Sequence, residues 1–99
     1  MHPQVRDYLL NYMADDYENF EMLFSETLRQ AKQQGQELNR AETLEAIEQL
    51  ISQGLAQAYT LSPTPPFATP VEFRRSDVEQ LWFYITPTGK RLVTSSFGV

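Results

Sequence analysis

Apolar positions along this chain follow a helical period through about residue 54 and then an alternating one. From Pro3, the residues Val5, Tyr8, Leu9, Tyr12 and Met13 fall three or four apart, on one helix face. Proline suits a first helical turn, where its missing N–H costs nothing, so a first helix is expected from Pro3 to Ala14. A second stripe, Tyr17, Phe20, Phe24, Leu28 and Ala31, with Leu23 and Thr27 beside it, follows a D-x-x-E pattern at Asp15 and Glu18 and stops at Gly35. That pattern predicts a helix start capped from both sides. Asn39 and Glu42 repeat the device, and Ala41, Leu44, Ile47, Leu50 and Ile51 supply a third stripe. Gly54 stands where a helix end needs positive φ, and Leu55 is placed to fold back onto Leu50.

Beyond Gly54 the period is two. Gln57, Tyr59 and Leu61 alternate with Ala58 and Thr60, which predicts a strand leaving directly from the helix end. Residues 62–70, SPTPPFATP, hold four prolines and exclude helix and central strand. They are expected to form the extended tip of a long hairpin that returns at Val71 to Phe73, with Leu38 adding an edge pairing. Ser76 and Glu79 repeat the capping signature and predict one helical turn over Asp77 to Leu81. Leu81 to Ile85 is the strongest strand signal, with Leu81, Phe83 and Ile85 on one face and Trp82 and Tyr84 on the other. Thr86 then caps a short last helix with Pro87 at its first position. The tail, Thr94 to Val99, is small and polar apart from Phe97 and is expected to fray.

The order helix, helix, helix, strand, long loop, strand, short helix is α+β and resembles a winged helix-turn-helix. Residues 3–34 hold the first two helices and 39–54 the third. A two- or three-stranded β wing covers 55–86 and a short C-terminal helix 87–93, all within one domain, 1–99. ETLEAIEQLISQGLAQAY, Glu42 to Tyr59, is similar to the recognition helix and first wing strand of PadR-like and MarR-like transcription regulators, where an L-x-x-L-x-x-x-G-L pattern closes the helix. LWFYITPTGKRLV, Leu81 to Val93, is similar to their second wing strand and the T-x-x-G-[KR] turn after it. DYLLNYMADDYENFEMLF, Asp7 to Phe24, resembles the first two helices more loosely. The resemblance implies sequence-specific DNA binding by the third helix, with the wing on the backbone.

Charge changes that picture. Of 99 residues, 13 are acidic and 8 basic. The halves differ: four basic against ten acidic side chains through Leu50, then four against three. The helical half repels polyanions and the wing half is weakly basic. The third helix offers three glutamates against one arginine, whereas a DNA-reading helix presents Arg, Lys, Asn or Gln. The wing tip carries prolines and Phe67 in place of basic residues.

Two functional readings follow. In the first, the chain is a non-enzymatic winged-helix module, regulatory in role, acting by protein–protein binding or self-association. Glu45, Glu48, Phe67 and Trp82 then form the partner surface, and Tyr8 and Tyr12 a homodimer contact. In the second, it is a DNA-binding transcription regulator. Arg40, Thr43, Gln49 and Gln53 would read bases, and Arg74, Arg75, Lys90 and Arg91 would hold phosphates. Each group also has an ordinary structural reading. The glutamates suit a solvated helix face, the basic residues pairing with Glu72 and Asp77, and the aromatics core cover.

Enzyme chemistry finds little support. The chain has no cysteine, and its single histidine is His2. Disulfides, thiolate metal sites and Cys–His pairs are thereby excluded, and a reducing cytoplasm suits the composition. Asp15, Asp16 and Glu18 could hold a hard cation, but helix capping accounts for them. Thr88-Gly89-Lys90 lacks the upstream glycine of a phosphate loop, and Arg91 takes its Ser/Thr position. No cofactor or metal is expected. No apolar run approaches the ~18 residues of a membrane span, and MHPQVRDYLL lacks the layout of a signal peptide.

Overall fold

A computed structural model describes residues 3–96 of the chain. Helix α1 spans Pro3–Asp15, α2 Phe20–Gln33, α3 Arg40–Ser52 and α4 Pro87–Ser96, with a 3-10 helix at Arg75–Gln80. Strands β1 (Glu18–Asn19), β2 (Ala56–Leu61), β3 (Ala68–Val71) and β4 (Trp82–Ile85) form one antiparallel sheet in the order β1-β4-β2-β3. The architecture is α+β. Among the described residues, no helix is long and apolar enough to cross a membrane.

Burial alternates along the central strands. Ala56, Ala58, Phe83 and Ile85 are buried, while Gln57, Tyr59, Trp82 and Tyr84 between them stay half-exposed. A sheet with helices on one face only gives this alternation. The inner residues join Val5, Leu9, Leu10 and Met13 of α1, Phe20 and Leu23 of α2, and Ala46, Ile47 and Leu50 of α3 in one core. The expected facing of Leu81, Phe83 and Ile85 against Trp82 and Tyr84 is what the structure has.

Helix ends carry the expected chemistry at α3. The Asn39 side chain accepts from Glu42 N at 2.8 Å. At the other end Gly54 has φ +75°, and Leu55 N donates to Leu50 O at 2.9 Å. That closes the helix and aims β2. Gly35 ends α2 the same way, with φ +69° and Gln36 N donating to Ala31 O at 2.8 Å.

Thr86 ties three elements together. Its hydroxyl donates to Gly54 O at 2.6 Å and accepts from Gly89 N at 3.0 Å, so it caps α4 while holding the α3 exit. Its N–H donates to Leu55 O at 3.0 Å. A Cβ on Gly89 would lie 2.3 Å from Leu55 O and 2.6 Å from Ile85 Cγ1. The T-x-x-G spacing is therefore a packing joint, with glycine where backbone meets backbone.

Several expectations are corrected. The D-x-x-E pattern does not start α2: α1 runs through Asp15, Glu18 lies in β1 opposite Phe83, and the cap is Asn19, which accepts from Met22 N at 2.9 Å. Sheet pairing with β4 takes the residues that a local cap would have used. Tyr17 thus leaves the helical stripe, and α2 buries Phe20, Leu23, Thr27 and Ala31. The stripe of α3 is rotated. Thr43, Ala46, Ile47 and Leu50 are buried, Ala41 is exposed, and Leu44 and Ile51 are half-buried. Thr43 tolerates burial because its hydroxyl donates to Asn39 O at 2.9 Å.

The hairpin is also longer than expected. β3 begins at Ala68, leaving 62–67 as the tip, with Tyr59 opposite Pro70. Ser62 N donates to Phe67 O at 2.9 Å. Counting in twos from that pair, Pro70 falls where the ladder needs no N–H, and it sits at the free edge of the sheet. Leu38 takes no part in the sheet; the edge beside β4 belongs to β1. The turn before β4 is the 3-10 helix, starting at Arg75. Helix α4 continues through Ser96, so the expected frayed tail is helical over its first part; Phe97 to Val99, like His2, lie outside the described residues.

Candidate interaction surfaces

Two of the charged side chains of the third helix, Arg40 and Glu48, are paired with neighbouring elements. Arg40 sits at its first turn, and its Nη1 donates to Glu21 Oε2 of α2 at 2.9 Å, the second contact making the pair bidentate. The guanidinium also lies 5.0 Å from the Phe20 ring and 5.4 Å from the Phe24 ring. Glu48 receives Arg75 from the 3-10 helix, Nε to Oε2 at 3.0 Å and Nη2 to Oε1 at 2.7 Å. These arginines hold the Glu21 and Glu48 carboxyls below their ordinary value. Glu48 and Arg75, expected on two different surfaces, are thus partners. Glu42, Glu45 and Gln53 are exposed, Gln49 is half-buried, and Thr43 is removed from any surface by its burial.

The four basic residues of the second half have four different partners. Besides Arg75 on Glu48, Arg74 approaches Glu72 at 3.9 Å, and Arg91 Nη2 donates to Thr88 Oγ1 at 3.1 Å. Lys90 Nζ stands 5.3 Å from the Tyr84 ring centre. Arg74 therefore has the local pairing expected of the group, whereas Arg75 crosses to α3.

Tyr8 and Tyr12 lie half-buried along an open groove of about 600 Å³ between α1 and the end of α2, with Asp7, Asp15, Gln30 and Gln34. The lining is polar and partly acidic, unlike the apolar centre of a stable homodimer interface.

The outer face of the sheet is different in kind. Tyr17, just ahead of β1, meets the Tyr59 ring edge-on at 5.1 Å and Tyr84 at 4.9 Å. Trp82 stands opposite Tyr59 in the ladder. Offset and edge-on contacts of this kind are favourable beyond the area they bury. Pro70 lies opposite Tyr59 on the same face, and Leu61, 40% exposed, follows toward the hairpin tip; Phe67, 62% exposed, pairs with Ser62 one step further on and so falls on the other face. Burial, then Tyr17 and Tyr84, push the Tyr59 phenol above its ordinary value, so it is neutral.

Trp82 and Phe67 were legible as surface candidates from strand alternation and proline content. The D-x-x-E pattern, read locally, places Tyr17 on a helix and so apart from Tyr59, which its ring meets in the structure. The signal for that was present: Asn19 is itself a strong cap, which frees the residues before it. No protein-family model, curated protein or solved structure matches this chain.

Proposed function

We propose that the chain is a winged-helix module with a regulatory, non-catalytic role, whose working surfaces take protein in preference to DNA. The fold reading rests on element order: α1, α2 and α3 form a body, and β2, β3 and β4 form a wing that leaves directly from α3. One observation carries the functional reading. The cations that border α3, Arg40 and Arg75, are each bidentate to a carboxylate, and the acids left outward on that helix are Glu42 and Glu45. DNA affinity comes chiefly from phosphate neutralisation by Lys and Arg. Placing α3 in a groove would require breaking two ion pairs and would bring glutamates to the phosphates.

Fluorescence anisotropy with labelled random and genomic duplexes at low salt tests this. The expected result is no saturable binding at micromolar protein. Micromolar binding that collapses with added salt would reverse the reading. Gln49 and Gln53 would then be the base readers, and Arg74, Lys90 and Arg91 the phosphate contacts.

A further inference from the structure

We infer that the outer face of the sheet docks a short proline-rich segment of a partner protein, held in the polyproline II conformation across the strands. The seat is the row Trp82, Tyr59 and Pro70, which runs over β4, β2 and β3. This rests on the protein-binding reading above and names the chemical class of the partner.

Hydrogen-bonding capacity selects that class. Trp82 and Tyr59 are half-buried. Among the described residues, neither the Trp82 indole N–H nor the Tyr59 hydroxyl has a hydrogen-bond partner, and neither is shut off from solvent. Gln57 beside them differs: its amide nitrogen is spent on Ala58 O and Val71 O. An indole N–H can only donate. A ligand for this row therefore brings acceptors and flat apolar surface, with few donors of its own. Proline-rich chain has that character. Proline lacks a backbone N–H, the carbonyls of polyproline II make no internal hydrogen bonds, and such segments dock on aromatic-lined surfaces.

Dimensions agree with an extended segment and not with a folded partner. Strands of two, six, four and four residues, at about 3.3 Å per residue and about 4.8 Å apart, give a face on the order of 250 Å². A standard interface takes about 800 Å² from each partner. Polyproline II repeats every three residues, about 9.3 Å, close to two strand spacings, about 9.6 Å. Laid across the strands, residues i and i+3 of the ligand straddle the Tyr59 ring, one against Trp82 and the other against Pro70. Crossing from β1 to β3 takes about five residues.

Charge decides against single-stranded nucleic acid, the other ligand that stacks on aromatic rows. The row itself is uncharged. At its margins Lys90 stands on the Tyr84 ring, and Glu72, one step past the Ala58–Val71 pair, stands beside Gln57. These two offset each other on a chain of net charge −5, whereas a single-strand groove tracks the phosphates with positive charge.

Anisotropy of a labelled, end-blocked polyproline of about ten residues, titrated with the full chain, tests the inference. The expected result is saturable binding below millimolar protein, with a shift in the emission of Trp82, the single tryptophan. A glycine–serine peptide of equal length is expected not to bind. Trp82→Ala and Tyr59→Ala should each weaken binding roughly tenfold or more, with circular dichroism unchanged. Trp82→Phe keeps a ring and removes the donor, so it should weaken binding about threefold to tenfold, and it covers the case of an alanine variant that does not fold. A native chain that leaves polyproline unbound at millimolar concentration overturns the inference. So does a Trp82→Phe variant that binds as the native chain does, or a glycine–serine peptide that binds equally well. Oligouridylate that binds more tightly than polyproline, and is lost in the same variants, would make the row a base-stacking platform and overturn it too. None of these outcomes moves the duplex titration, so the two readings fail separately.

Discussion

At the scale of single residues, Gly89 is the position with least freedom. A Cβ there would press on Leu55 O and Ile85 Cγ1 together, and the former is backbone that Thr86 already holds. Gly89→Ala is therefore expected to cost about 1–3 kcal/mol, the range for overpacking a close contact. In a domain of this size that lowers the thermal midpoint by roughly 4–8 °C per kcal/mol, readable in a melt. The sequence marked Thr86 as a cap and the T-x-x-G spacing as part of a resemblance. It did not show that the glycine faces a neighbouring helix end, because Leu55 is remote in sequence and adjacent only after folding.

At the scale of elements, local and non-local signals competed, and the outcome is visible at each helix start. At α3 nothing opposes the cap, and Asn39 behaves as its position predicts. Asn39→Ala should destabilise the protein by about 1 kcal/mol in urea unfolding, with the slope unchanged. At α2 an equally good local pattern lost. Glu18 and Asn19 extend β4, and the helix starts after them. Pairing between distant segments is invisible to a local motif, so the two-residue strand and the role of Tyr17 were out of reach. The same holds for β3. Four prolines argued against a strand, yet the edge position asks no N–H of Pro70. The hairpin, its facing and the last helix were legible because alternation and caps are local.

At the scale of the whole molecule, three glutamates couple folding to pH in opposite senses. Arg40 and Arg75 depress Glu21 and Glu48, so their contribution is present above the ordinary carboxylate value of 4.5 and is lost as pH falls through the lower folded value. Glu18 is raised, chiefly by burial and then by Asp16, Asp15 and Glu26, so its charge opposes folding above the raised value and the penalty lifts as pH falls. In thermal melts from about pH 3 to about pH 8, Glu18→Gln should raise the midpoint at neutral pH and converge on the native chain in acid. Glu48→Gln should lower it at neutral pH and converge likewise. The candidate surface was legible only in fragments for a related reason: charge content is read from a list of residues, but which charges cancel depends on contacts such as Arg75 with Glu48.

The borders of the sheet have a consequence of their own. One border is only two residues long, and the other carries Pro70, so neither offers a row of amides on which another chain could template. Growth of the sheet by lateral addition of another strand is therefore blocked from both sides.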